Sequence, residues 1–193
     1  MIRARGLAKR FGDKRIFDGL DLEVERGGFV LVTGPNGSGK TTLLRMLAGL
    51  DAPTGGELEL PDRAVIGYLG HEPLVYRELT PLENLHMFGR LYRIPERGER
   101  IGMLLERFGL WDVRDQRVST FSRGMRQRLG LCRVLLHEPE LVILDEPFNA
   151  LDDAGSTLLD STLDELHGSR AFVVATHDPA RVERLATQRL AFA

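Results

Sequence analysis

The sequence lacks several features that would assign it to other classes of protein. It has a single cysteine among 193 residues, so no internal disulfide can form, which suits a reducing compartment. No apolar run approaches the roughly 18 residues of a membrane span, and no apolar signal segment follows Met1. With a formal net charge of -2, the sequence lacks the excess of basic residues that is typical of nucleic-acid binders. We therefore expect a cytoplasmic protein with no nucleic-acid partner, and any association with a membrane must come through a partner.

The most informative stretch is the glycine-rich segment 34–42. It matches the phosphate-loop pattern G-x-x-x-x-G-K-[ST] at every fixed position, between an apolar strand and a helix. This order turns backbone N–H groups toward an anion at the helix N-terminus. We expect the ammonium of Lys40 to contact the β- and γ-phosphates and the hydroxyl of Thr41 to bind Mg²⁺. The predicted nucleotide-binding residues are Gly34, Pro35, Asn36, Gly37, Ser38, Gly39, Lys40, Thr41 and Thr42.

A second candidate site follows the apolar run 141–144, which is typical of a buried central strand. Asp145 would lie at the carboxyl end of this strand, where α/β sheets bind ligands, and could hold Mg²⁺. Glu146 could orient or deprotonate the attacking water, a contribution of roughly 10²–10⁴ in rate. The alternative is a solvated acidic turn, which the phosphate loop makes the less favoured interpretation.

The hydrophobic pattern predicts one domain, 1–193, in which strands surround a helical insertion. Thr80, Pro81 and Glu83 form a helix start with a capping box. Cys132, in an apolar helical stretch, is expected to be a packing residue. We expect residues 1–79 and 138–193 to form the catalytic core with a β subdomain, and residues 80–137 to form the helical subdomain. A last helix is predicted from Asp178 to Ala186, before a short final strand.

Several motifs together resemble the nucleotide-binding subunit of an ATP-binding cassette (ABC) transporter, over essentially the whole chain. The signature segment 121–128, Phe-Ser-Arg-Gly-Met-Arg-Gln-Arg, is similar to the family signature LSGGQ and its basic helix. Segments 145–147, 149–152 and 176–178 are similar to the Walker B end, the D-loop and the switch histidine. The resemblance implies a P-loop NTPase of ABC type, with a mixed sheet core, an N-terminal antiparallel β subdomain and an all-helical subdomain. It also implies an ATPase that uses ATP and Mg²⁺.

The resemblance further implies that two copies close head to tail around two ATP molecules. His177 would contact the γ-phosphate and help Glu146 to hold the water, and Lys40 would complete the catalytic set. Phe11 would stack on adenine, although an isolated Phe at a strand end is more often a core residue. The residues implied to act across the dimer interface are Ser122, Arg123, Gly124, Met125 and Asp152. Ser122 alone could equally be an ordinary helix N-cap.

The chain departs from the family pattern in two places. Arg123 and Met125 replace a glycine and the glutamine of the signature, while Ser122 and Gly124 are kept. His71 takes the place of the Q-loop glutamine, which in the family contacts Mg²⁺ or the attacking water. A protonated histidine there would be repelled by Mg²⁺, so we expect hydrolysis to fall more steeply below about pH 6.5 than in a His71→Gln variant. Identical pH profiles for the two proteins would contradict this expectation.

The subfamily is indicated less sharply than the family. Gly70-His71 and the segments 78–85 and 145–152 resemble the haem-exporter ATP-binding subunit of cytochrome c maturation, whereas the signature segment is more like that of ABC-2-type drug or polysaccharide exporters. A non-transport ATPase of iron–sulfur assembly and a regulatory ATP binder remain alternatives. A membrane permease is expected to dock in a groove at residues 71–90, against exposed Leu74, Val75 and Tyr76.

Overall fold

The computed structural model describes residues 1–192, which form two β-sheets with α-helices packed against them. The strands are β1 (Ile2–Phe11), β2 (Lys14–Val24), β3 (Phe29–Thr33), β4 (Gly55–Glu59), β5 (Ile66–Leu69), β6 (Leu141–Asp145), β7 (Ala171–Ala175) and β8 (Gln188–Ala191). The helices are α1 (Lys40–Leu47), α2 (Pro81–Leu91), α3 (Arg97–Arg107), α4 (Arg123–Leu135) and α5 (Asp153–Leu166). No helix within residues 1–192 is both long and apolar enough to cross a membrane.

The core sheet has the strand order β5-β6-β7-β3-β8 and is parallel throughout. Strands β6 and β7 are buried at every position, as expected for strands covered on both faces. Because parallel strands end at one edge, β3, β6 and β7 bring the segments that follow them together. The predicted fold class is confirmed, with the refinement that the antiparallel pairs lie in a separate sheet rather than in the core sheet.

That separate sheet has the order β2-β1-β4 and contains the N-terminal strands. Its inward side chains, among them Ile2, Leu7 and Val24, share one apolar core with α1 and one face of the parallel sheet. Helix α1 is therefore enclosed between the two sheets. This enclosure fixes the phosphate loop, because the loop leads directly into α1.

The helical segment 80–137 contains α2, α3 and α4, together with short 3₁₀ turns at Trp111–Val113 and Val118–Thr120. The three helices share a core with the other face of the parallel sheet, to which Phe29 and Leu31 belong. Cys132 is fully buried in this core, as predicted, and burial raises the pKa of its thiol.

The helix predicted from Asp178 to Ala186 is wrong. The structure has two 3₁₀ turns there, Pro179–Arg181 and Glu183–Leu185, and the Asp178 side chain caps neither. Val182 separates the turns with φ -116°, outside the helical range, and it is buried in the core. Packing of Val182 thus overrides the local helix signal.

Candidate active site

The phosphate loop closes tightly around the side chain of Lys40. The Lys40 Nζ donates hydrogen bonds to the carbonyl oxygens of Gly34 at 2.7 Å and Pro35 at 3.0 Å. Gly39 precedes α1 with φ +113°, and a Cβ at this position would lie 2.7 Å from Ile16 Cγ2. Glycine is therefore required at position 39 both by the left-handed backbone and by the neighbouring β2 strand.

The loop has free hydrogen-bonding capacity that suits a phosphate chain. The hydroxyl oxygen of Ser38 is buried and has no hydrogen-bond partner among residues 1–192, and buried polar atoms are normally paired. The first turn of α1 contains no acidic residue, so its N-terminus and the Lys40 ammonium present positive charge together. These residues fit the nucleotide predicted from the sequence.

The predicted metal ligands from two different elements meet in one hydrogen bond. The Thr41 hydroxyl at the start of α1 donates to Asp145 Oδ2 at the end of β6, at 2.7 Å. Burial raises the pKa of the Asp145 carboxyl, and the hydrogen bond from Thr41 opposes this rise. A hydroxyl and a carboxylate are the hard oxygen ligands that Mg²⁺ prefers, so this pair fits the predicted Mg²⁺.

Glu146 and His177 form a second pair beside the first. Glu146 has a left-handed backbone with φ +49°, and its N–H donates to the carbonyl of Ala175 at 2.8 Å. Its Oε2 accepts hydrogen bonds from His177 Nδ1 at 2.7 Å and from the His177 backbone N–H at 3.2 Å. The last residues of β6 and β7 thus direct this carboxylate and this imidazole toward each other.

These groups share one cavity of about 460 Å³, a volume within the usual range for ligand sites. Its lining residues are Ile16, Asn36, Gly37, Gly39, Lys40, Thr41, Thr42, His71, Asp145, Glu146, Asn149 and His177. The structure therefore brings His71 into one cavity with the residues predicted to be catalytic. Ile16 was missed as a site residue, and Asn149, the first residue of the predicted D-loop segment 149–152, was not predicted to line the cavity. Strand pairing in the antiparallel sheet places Ile16 there, and no local sequence signal marks it.

Phe11 does not line this cavity. Its side chain is 55% exposed, and the Lys9 ammonium lies 5.0 Å from the centre of its ring. Phe11 is therefore not a core residue, although an isolated Phe at a strand end usually is. Its stacking on adenine stays a prediction.

The signature residues also lie outside the catalytic cavity of the same chain. Ser122 caps α4, because its Oγ accepts the Met125 N–H at 3.1 Å. A Cβ on Gly124 would lie 2.7 Å from the carbonyl oxygen of Ala150, so Gly124 lets α4 contact the turn after Asp145 closely. Asp152 caps α5 by accepting the Gly155 N–H at 2.8 Å. Ser122, Gly124 and Asp152 therefore each have a structural role within their own subunit.

The predicted docking residues differ in exposure. Leu74 is 60% and Tyr76 is 55% exposed, as expected for a contact surface. Val75 does not fit the prediction, because its side chain is half-buried and packs against the apolar core. Leu74, with φ +49°, turns the chain so that its neighbour Val75 faces inward.

A parallel sheet, a phosphate loop and two acidic residues at the end of the central strand β6 define a nucleotide-binding fold of the phosphate-loop class. The family assignment is narrower. The sequence pattern described as "ABC transporter" matches residues 17–149, which is more than half of the chain. The chain therefore belongs to the ABC transporter family, in its ATP-binding part.

Curated relatives lie close in identity but differ in transport system. The chain is 39% identical to the uncharacterized ABC transporter ATP-binding protein YxlF of Bacillus subtilis, covering 92% of this chain and 62% of the relative. It is 41% identical to the daunorubicin resistance ATP-binding protein DrrA3 of Streptomyces coeruleorubidus, covering 91% and 59%. It is 39% identical to the cytochrome c biogenesis ATP-binding export protein CcmA of Pseudomonas syringae, covering 91% and 87%. The chain thus spans about 60% of the length of the first two relatives.

Two solved structures share the fold. An ATP-binding subunit of an ABC transporter superposes with a TM-score of 0.91 at 26% identity, over 99% of this chain and 85% of that one. A dimeric ATP-binding cassette in a post-hydrolysis state, bound to ADP and Pi, superposes with a TM-score of 0.84 at 28% identity, over 100% and 94%.

Proposed function

We propose that this protein binds ATP together with Mg²⁺ and hydrolyses the ATP, as the motor subunit of a membrane transport complex. The observation that carries the proposal is the convergence, in one cavity, of Lys40, the Thr41–Asp145 pair and the Glu146–His177 pair. In this reaction ATP supplies the phosphoryl group that is transferred to water, and Mg²⁺ neutralises charge on its phosphates. The chain's own residues bind the nucleotide, orient the attacking water and accept its proton.

Each residue has a role that follows from its position. Lys40, freed from its two carbonyl contacts, neutralises phosphate charge, and Thr41 and Asp145 hold Mg²⁺. Glu146 keeps Oε1 available to accept a proton from the attacking water, because His177 engages Oε2. Strain at the left-handed Glu146 is of the kind found at functional sites, and it fixes the direction of this carboxylate.

We further infer that the site is completed by a second copy of the chain, with Ser122, Arg123, Gly124, Met125 and Asp152 acting across the interface. Their location outside the wall of their own subunit's cavity supports this arrangement. The dimeric state of the structural relative bound to ADP and Pi supports it independently. An integral membrane permease would dock in the groove at residues 71–90, near the exposed Leu74 and Tyr76.

The direct test compares hydrolysis of Mg²⁺-ATP by the natural protein and by Glu146→Gln. We expect the variant to lose hydrolysis by roughly 10²-fold or more, as for removal of a general base, while still binding ATP because the phosphate loop is intact. His137, a half-buried histidine whose ring bonds to the Ile66 carbonyl, gives a matched control as His137→Gln with unchanged hydrolysis. Undiminished hydrolysis in Glu146→Gln would contradict the assignment.

For the cargo we propose export linked to cytochrome c biogenesis, with haem as the candidate substrate. Gly70-His71 and segment 145–152 support this choice, as does the 39% identity to CcmA. The 41% identity to a daunorubicin resistance protein favours a drug exporter as the second candidate. Expression in a strain lacking its own cytochrome c export ATPase distinguishes them. Restored c-type cytochromes support the first, and drug resistance without restoration supports the second.

A further inference from the structure

Helix α4 carries an arginine whose charge is buried without a carboxylate partner among residues 1–192. Arg133 is 6% exposed, its two well-formed hydrogen bonds go to backbone carbonyls, and the Tyr92 side chain lies beside its guanidinium. Nη2 donates to Tyr68 O at 2.9 Å and Nε donates to Pro73 O at 3.3 Å. Burying an ion without a counter-ion is costly, so these two bonds are central to keeping the guanidinium in place.

The two acceptors lie on either side of His71. Tyr68 belongs to β5, and Pro73 lies beyond His71 in the segment 69–76, here called the His71 loop. A planar guanidinium offers several donors in fixed directions, so Arg133 joins both ends of the turn that carries His71 into the catalytic cavity. Helix α4 also touches the loop directly, since a Cβ at Gly130 would lie 2.5 Å from Pro73 Cβ.

The other side of Arg133 faces α2, which belongs to the proposed docking groove. The Arg133 Cζ lies 5.5 Å from the centre of the Phe88 ring, and Phe88 stacks on Tyr92 with 6.4 Å between ring centres. Tyr92 reaches the surface beside the exposed Leu91. One buried side chain therefore contacts the His71 loop and the inner face of the helix next to the docking groove.

We propose that Arg133 is a positioning residue that holds the His71 loop against α4 and α2, and so sets where His71 lies in the catalytic cavity. The effect of Arg133 on activity rests on the proposed ATP hydrolysis. Its effect on the position of the His71 loop does not, and can be measured without nucleotide. Lysine at this position keeps the charge and loses the fork that spans both carbonyls.

The first test is amide hydrogen exchange of the nucleotide-free natural protein, Arg133→Lys and Arg128→Lys. Arg128 is a matched control, because it lies on the same helix and donates to the carbonyl of Phe108 at 2.9 Å, away from the loop. We expect amides of the His71 loop, including the Tyr76 N–H bound to Asn84 Oδ1, to exchange roughly tenfold faster in Arg133→Lys only, as for one lost charge-assisted hydrogen bond. Equal exchange in the two variants, or acceleration that extends through β6 and β7, would overturn the proposal.

The second test is a double-mutant cycle on kcat with His71→Ala, which removes the side chain that Arg133 is proposed to position. If Arg133 acts through His71, the double variant loses no more activity than His71→Ala alone, whereas Arg128→Lys combines with His71→Ala multiplicatively. Multiplicative loss for Arg133→Lys would overturn the proposal. The proposed function fails separately, if the natural protein shows no hydrolysis that depends on Glu146. In that case the hydrogen-exchange experiment still tests the positioning role of Arg133.

Discussion

At the scale of single residues, Glu146 shows what the sequence can and cannot predict. The apolar run before it predicted that it would follow a buried strand, and it follows β6. Its left-handed backbone, with φ +49°, was not predictable, because that conformation is rare for residues other than glycine. The contacts that hold it come from Ala175 and His177, which are distant in sequence. The place of Glu146 after a buried strand was therefore predictable, whereas its backbone conformation and its contacts were set by tertiary packing.

The raised pKa of Asp145 predicts an effect on stability. Between its ordinary value of 3.8 and the raised value, the folded protein holds a proton that the unfolded chain has released. The free energy of unfolding therefore decreases as pH rises through this window. We expect Asp145→Asn to be more stable than the natural nucleotide-free protein at pH 7, by an amount that shrinks toward acid pH. Urea unfolding at several pH values measures this.

Asp51 provides the control with the opposite sign. A hydrogen bond from Arg45 lowers the pKa of its carboxyl, so the ionised form stabilises the folded state above the ordinary value and loses this effect as pH falls. Asp51→Asn should cost about 0.2–1 kcal/mol at pH 7, as expected for an exposed ion pair. A loss of stability in both variants at pH 7 would contradict the assignment of an unfavourable buried charge to Asp145.

Gly124 predicts a packing effect that is separable from its proposed contact with ATP. A Cβ at this position would meet the Ala150 carbonyl oxygen at 2.7 Å, and such overpacking costs about 1–3 kcal/mol. We expect Gly124→Ala to lower the unfolding midpoint in urea. Gly98→Ala in α3 is the matched control, since a Cβ there meets nothing within 4 Å. It should gain about 0.5–1 kcal/mol from helix propensity. Equal stability of the two variants would contradict a close contact between α4 and the turn that contains Ala150.

At the scale of elements, local rules succeeded where all their parts were present. The capping box of α2 is formed as predicted, with Thr80 Oγ1 accepting the Glu83 N–H at 3.2 Å and Glu83 Oε2 accepting the Thr80 N–H at 2.8 Å. The segment after Asp178 had a similar helix-start signal. It nevertheless forms 3₁₀ turns, because Val182 packs in the core. Short segments beside a sheet are governed by packing, so their helix signals are weak predictors.

The α2 cap gives a prediction at this scale. Thr80→Ala removes the acceptor for the Glu83 N–H and should cost about 0.5–2 kcal/mol of unfolding free energy. Thr157 is a suitable control, because its hydroxyl bonds within α5 to the Asp153 carbonyl and alanine is the better helix former. Thr157→Ala should therefore be neutral or stabilising. Thermal unfolding followed by circular dichroism compares the two, and an unchanged midpoint for Thr80→Ala would show that the cap contributes no stability.

At the scale of the whole molecule, the order of motifs predicted the fold, but not the contacts between distant segments. Strand β2 brings Ile16 to the phosphate loop, and Arg133 of α4 holds the His71 loop. Neither contact has a signal in the sequence, because each depends on how separate elements pack. The same holds for the signature residues, which a single chain does not bring into its own catalytic cavity.

If each ATP site is shared between two copies of the chain, two inactive variants that damage opposite halves of the site should complement each other. Lys40→Met disables the phosphate loop and Ser122→Arg blocks the signature helix, so each variant alone should be inactive. In an equal mixture, half of the head-to-tail dimers contain one intact site, and hydrolysis should recover to about a quarter of the natural activity. If both variants remain folded and the mixture remains inactive, the shared site is contradicted.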